Sequence, residues 1–143
     1  MIVPDVNLLV YAYTASAPFH HEARQWWESV LSGREPVGLS YVTAHGYVRL
    51  MTHPRIMTHP LRPDAALDDV HAWLSAPPVS FIGPGPRHME LLRHLLERAG
   101  TGANLVTDAV IAAIAIEYQA TVHSTDTDFA RFEGVRWENP LVK

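Results

Sequence analysis

The chain contains no cysteine, so it can build neither a disulfide nor a thiolate metal site. That suits a reducing compartment, and a cytoplasmic location is the expectation. Lysine is nearly absent: Lys143, the last residue, stands against ten arginines. No apolar run is long enough to span a bilayer; the longest, near Leu105–Ile116, is short and interrupted by Asp108. The N-terminus has no basic region followed by an apolar stretch, so no signal peptide is expected. No HExxH occurs among the nine histidines; the stretch HHEAR has the wrong order for a zinc protease. Positive charge is not in excess either. The formal net charge of −4 argues against a strongly basic nucleic-acid binder, but leaves room for an enzyme that touches RNA through a local arginine patch.

What is present is a chain of 143 residues, 48% hydrophobic, enough for one domain with a real core, residues 1–143. Residues 1–4 read as a short buried strand, and Asn7–Tyr13 as a helix capped near Asp5. His20–Ser32 has helical apolar spacing, with Trp26 and Trp27 at core positions, and Gly33 sits where a C-cap belongs. Pro36–Leu39 reads as a second strand. Ser40 then caps a helix to about Thr52. The stretch THPRIMTHP reads as a loop, because each proline disfavours helix at the histidine before it. Pro63 opens a helix that carries Trp73 and is stopped by Pro77-Pro78. Val79–Ile82 is a third strand, Arg87–Ala99 an amphipathic helix and Gly100–Asn104 a loop. Leu105–Tyr118 is apolar nearly all round and reads as a buried helix. Thr121–Ser124 is a fourth strand, and Val135–Trp137 a candidate fifth. Short strands alternating with helices imply a parallel sheet covered on both faces.

Four acids stand out by position. Asp5 follows the first strand, Asp108 lies in the first turns of the buried helix, and Asp126 and Asp128 follow the fourth strand in STDTDF. In an open parallel sheet, sites form beyond the carboxyl ends of strands. Each acid also has a plainer reading. Asp5 is a possible N-cap, Asp126 or Asp128 a cap for the helix DFARF, and Asp108 a first-turn residue favoured by the helix dipole. Taken together they suit a hard divalent ion. Neighbouring carboxylates repel unless a cation lies between them, and Mg²⁺ or Mn²⁺ takes carboxylate and water ligands. Such an ion would compensate Asp5, with Asn7 orienting it or its water. Phosphoryl-transfer sites of the haloacid-dehalogenase or receiver type also use strand-end aspartates. They require an internal lysine, which this chain lacks.

The opening MIVPDVNLLVYAY, the central VRLMTHPR, the GPRHMELLRHLL stretch, and NLVTDAVIAAIAIEYQATVHSTDTDFARF with WENPL resemble the PIN-domain toxins of VapBC toxin–antitoxin systems. The resemblance runs from Met1 to about Leu141. It implies an α/β/α sandwich with a mostly parallel four- to five-stranded central sheet, in a single PIN-like domain. It also implies a Mg²⁺- or Mn²⁺-dependent endoribonuclease acting on tRNA or rRNA. Further implications are a homodimer, inhibition by a cognate VapB-like antitoxin whose C-terminal segment enters the site, and no membrane association. By the same resemblance Asp5, Asp108 and Asp126 match metal ligands, and Asp128 an additional catalytic acid. Asn7 and Thr125 match small polar positions that hydrogen-bond those acids or the water. One departure stands out. Many such toxins carry a glutamate on the helix after strand two, where this chain reads Thr43, Ala44, His45 and Gly46. Either His45 or Thr43 partly stands in for it, or the remaining aspartates suffice, or activity is weakened. The alternative to a nuclease is a catalytically weak or inactive PIN module that binds RNA or an antitoxin.

Overall fold

A computed structural model of the chain describes residues 1–100 and 105–142. Five strands form one parallel sheet: β1 (Ile2–Pro4), β2 (Val37–Ser40), β3 (Val79–Ile82), β4 (Thr121–His123) and β5 (Arg136–Glu138). Their spatial order is β3-β2-β1-β4-β5, with every pairing parallel. Six α-helices connect them: α1 (Val6–Tyr13), α2 (His20–Leu31), α3 (Tyr41–Met51), α4 (Pro63–Ser75), α5 (His88–Ala99) and α6 (Val106–Glu117). A short 3₁₀ helix, Thr127–Arg131, follows β4. The expected α/β architecture is present, with five strands and no antiparallel pairing among the described residues. The expected loop Gly100–Asn104 lies outside the described residues except for Gly100, which ends α5 at φ +104, a conformation that favours glycine.

Side-chain alternation along the strands sends residues to two separate cores. Val3, Val122 and Ile82 face α5 and α6, joined by Leu91, Leu95, Ile111, Ile114, Phe129 and Phe132. Val37, Leu39 and Val79 face the other way, onto α1 to α4, where Trp27, Trp73 and Tyr47 pack edge to face. The helix α6 is buried because alanine dominates it: Ala109, Ala112, Ala113 and Ala115 are fully inaccessible. Small side chains let this helix lie close against the sheet and bring its N-terminal turn, with Asp108, to the strand ends.

The central pair of strands sets the site. β1 and β4 are adjacent and in register, Pro4 opposite His123. The next residue on each, Asp5 and Ser124, therefore leaves the sheet side by side. The Asp5 amide donates to the His123 carbonyl at 2.9 Å, so the ladder continues one step past the strand ends. On the outer side of β4, the Ser124 amide donates to the Glu138 carbonyl and the Trp137 indole donates to the Ser124 carbonyl at 3.0 Å. The edge strand β5 thus holds the backbone of Ser124 in place.

Candidate active site

Asp5 is buried, and its two carboxylate oxygens are separately engaged. Oδ1 accepts from the Val6 amide at 2.8 Å, which makes Asp5 the N-cap of α1. Oδ2 accepts from the Ser124 hydroxyl at 2.7 Å. Ser124 is the hub of the arrangement. Fully buried, it gives its hydroxyl hydrogen to Asp5, and its oxygen accepts from the Asp126 amide at 2.9 Å and from the Asn7 side-chain amide at 3.3 Å. Asn7 also donates to the Thr125 hydroxyl at 2.8 Å. Asn7 and Thr125, expected to hydrogen-bond the acids or the water, bond instead to each other, and Asn7 reaches Asp5 and Asp126 only through Ser124. Ser124 was not singled out from the sequence; only the cap-rich string STDTD hinted at it.

Asp126 caps the 3₁₀ helix by accepting from the Asp128 amide at 2.9 Å. The plain and the functional readings of Asp5 and Asp126 are therefore compatible: one oxygen caps a helix while the carboxylate as a whole faces its neighbours. Asp108 comes from the first turn of α6. One carboxylate oxygen from each of Asp108, Asp126 and Asp128 lies within 4.8 Å of the others. Asp5 stands behind this trio, close enough for its charge to act on Asp108. Three of the four expected acids thus converge, and Asp5, up to 123 positions away in the chain, lies near enough to act on them through its charge at the carboxyl ends of β1 and β4.

This crowding has an electrostatic signature. Burial, then the charges of Asp5 and Asp126, a hydrogen bond with Asp126 and the charge of Asp128 push the Asp108 carboxyl up to about 7. Asp5 is also raised, chiefly by burial and slightly by Asp126, with the Ser124 and Val6 hydrogen bonds opposing. Among the described residues, one cationic side chain is paired with the cluster: Arg131 reaches Asp128 at 3.6 Å and donates to the Ala99 carbonyl. The buried Asn7 Oδ1 has no hydrogen-bond partner among the described residues, while the amide nitrogen of the same side chain donates to Ser124, the residue that holds Asp5. Carboxylate oxygens plus a free amide oxygen are the donor set a hard divalent cation takes, so the residues present fit such an ion.

The α3 residues behave differently. Thr43 is buried; its hydroxyl donates to the Pro4 carbonyl at 3.1 Å and its amide to Ser40 at 3.1 Å. It ties α3 to the strand end beneath Asp5 and is not presented to the trio. His45 is exposed and lines a neighbouring cleft with Arg49. No α3 carboxylate fills the gap noted in the sequence. The loop THPRIMTHP borders a separate cleft with Tyr13, Thr14 and Met51, which none of the four acids lines. Among the described residues, no histidine joins a group of three or more potential metal ligands. Among the described residues no helix is long and apolar enough to cross a membrane.

The PIN domain family model matches residues 2–135. Ribonuclease VapC33 of Mycobacterium tuberculosis is 43% identical over 141 residues, covering 99% of each chain. Ribonuclease VapC37 of the same species is 41% identical over 140 residues, covering 98% of this chain and 97% of that one. Among solved structures, VapBC-1 of nontypeable Haemophilus influenzae superimposes with a TM-score of 0.70 at 14% identity, over 99% of this chain and 100% of that one. VapC20 of M. tuberculosis, described as a sarcin–ricin loop cleaving toxin, gives 0.64 at 20% identity, over 95% and 99%. With the sheet order, the strand-end acids and these full-length matches together, the chain belongs to the PIN-domain family, in its VapC branch.

Proposed function

We propose that this chain is the toxin of a type II toxin–antitoxin pair, a divalent-metal-dependent endoribonuclease in which Asp5, Asp108, Asp126 and Asp128 form the catalytic site. The observation that carries this reading is the approach of three carboxylates to within 4.8 Å with a fourth buried behind them. Asp108 and Asp126, with Asp5 beside them, would hold Mg²⁺ or Mn²⁺, and Asp128 and the free Asn7 oxygen complete the polar rim. When bound, such an ion polarises a phosphodiester oxygen and lowers the pKa of water. The protein's own contribution is placement. Ser124 fixes the orientation of Asp5 and, through the Asp126 amide, of Asp126. Asp126 and Asp128 accept hydrogens from the attacking water and so orient it. The absent α3 glutamate is made good by the third and fourth aspartates.

The relatives named as ribonucleases support RNA as substrate, and the VapBC-1 structure supports a cognate VapB-like antitoxin as partner; the family resemblance adds to the proposal tRNA or rRNA as the substrate class, inhibition by that antitoxin, a homodimer as the working unit, a cytoplasmic location and one PIN-like domain over residues 1–143. The test is cleavage of total bacterial RNA in Mg²⁺ or Mn²⁺, with and without EDTA. Cleavage that EDTA abolishes, and that Asp5→Asn and Asp108→Asn each abolish without loss of fold, supports the reading. Undiminished cleavage by both variants would defeat it, and metal binding without any cleavage would favour an inactive binding module.

A further inference from the structure

His45 and Arg49 lie four residues apart on α3 and so share one face of the helix. Both are exposed. They line a cleft of about 310 Å³ whose other walls include Val6 at the start of α1 and Thr107 and Ile111 on α6. Val6 directly follows Asp5, and Thr107 directly precedes Asp108, so the cleft adjoins the acidic cluster. Gly46 forms part of its wall, and a Cβ there would meet the Val6 side chain at 3.3 Å, which shows how closely α3 and α1 approach at this point.

Six of the ten arginines (Arg34, Arg49, Arg55, Arg87, Arg93 and Arg136) form no ion pair among the described residues, and Arg49 is the one of them that lines this cleft. Arg24, Arg62, Arg98 and Arg131 each pair with an acid. Arg49 has no ion-pair partner among the described residues, although the cleft that it lines is walled by the chain neighbours of two of the acids, Val6 beside Asp5 and Thr107 beside Asp108. An RNA strand lying over those carboxylates meets negative charge on a chain that is already acidic. Affinity for a phosphate backbone comes from arginine and lysine, and lysine occurs only at position 143. A divalent ion in the proposed site would offset that repulsion at the scissile phosphate; for the flanking phosphates, Arg49 is the unpaired cation that lines the adjoining cleft. We infer that Arg49, assisted by His45, binds an RNA phosphate flanking the scissile one and sets the path of the strand from the acidic cluster across α3. Arginine suits this because its planar fork meets two phosphate oxygens at once. The inference rests on the ribonuclease reading above.

Binding without catalysis tests it. In an Asp108→Asn background with EDTA present, neither cleavage nor metal contributes. The probe is a fluorescein-labelled, mixed-sequence, single-stranded RNA 20-mer, followed by anisotropy over a salt series. Arg49→Gln is expected to weaken binding about tenfold near physiological salt and to flatten the slope of log K against log salt by about 0.7, one phosphate's worth on a single strand. Arg49→Lys is expected to restore the slope and part of the affinity. Arg34→Gln removes the same charge from the turn that enters β2, at the opposite end of the parallel strands from Asp5, and is expected to leave the slope unchanged. In the otherwise wild-type protein, Arg49→Gln should raise KM for RNA while changing kcat little. An Arg49→Gln slope equal to that of Arg34→Gln, or a fall in kcat with KM unchanged, would overturn the assignment. If the wild-type chain cleaves RNA and the slope does not move, this inference fails alone; if the wild-type chain cleaves no RNA, the reading beneath it fails first.

Discussion

Asp108 holds its proton to about pH 7 in the metal-free fold, against an ordinary value of 3.8. Between those limits the folded chain binds a proton that the unfolded chain has released. Stability of the metal-free protein therefore falls as pH rises from about 4 to about 7 and levels off above. Asp5, shifted in the same direction, adds to the slope. Thermal melts in EDTA across this range are expected to show Tm declining, and Asp108→Asn should flatten the decline; a Tm that rises through the window would contradict the carboxylate crowding. Ser124→Ala tests the hub. It leaves the buried Asp5 Oδ2 without its donor, a loss of about 1–3 kcal/mol in stability, and a misoriented ligand shell should cost about ten- to hundredfold in activity. Denaturant melts and a cleavage assay measure the two. The acids are legible from sequence as a set and through the family resemblance, since each alone also reads as a helix cap or a first-turn residue, and Asp5 and Asp126 do cap helices. Ser124 is not legible, because a serine in STDTD reads equally well as turn chemistry. Its role exists only once β1 and β4 are neighbours.

At the scale of elements, α6 decides how close the acids come. Its alanines are the reason the helix beds against the sheet, and overfilling that seam should lift its N-terminal turn. Ala112→Leu is expected to cost about 1–3 kcal/mol and to lower metal affinity as Asp108 moves away. Chemical denaturation and Mn²⁺ titration check the two effects; a destabilised variant with unaltered Mn²⁺ affinity would show that α6 does not position Asp108. Helices were easy to read where apolar spacing met a clear cap, as at Ser40 with the Thr43 amide and at Pro63, where the observed start is the expected one. Boundaries moved where tertiary pairing decided them. The fifth strand, expected at Val135–Trp137, lies at Arg136–Glu138, because pairing with β4 fixes its register. The 3₁₀ form of DFARF likewise follows from Asp126 capping a turn too short for an α-helix.

For the whole molecule, the sheet order brings together residues that sequence distance keeps apart, and repulsion is what holding them together costs the metal-free fold. A cation that binds the folded state alone should offset this. At a hundredfold excess over its dissociation constant it would add about 2.7 kcal/mol, or roughly 5–10 °C in Tm for a chain of this size, and more at pH 7 than at pH 5, where the proton on Asp108 competes. The parallel α/β class was readable from alternating short strands and helices. The order β3-β2-β1-β4-β5, which creates the site, was not, since strands of three or four residues carry almost no pairing information of their own.

The most direct test of the shared-cation site is a crystal structure of the protein soaked in Mn²⁺, with anomalous data. The expected result is an anomalous peak among Asp108, Asp126 and Asp128, at ligand distance from carboxylate oxygens and beside Asp5. Data showing those carboxylates empty of Mn²⁺, from crystals of protein that cleaves RNA in the same Mn²⁺ buffer, would contradict it.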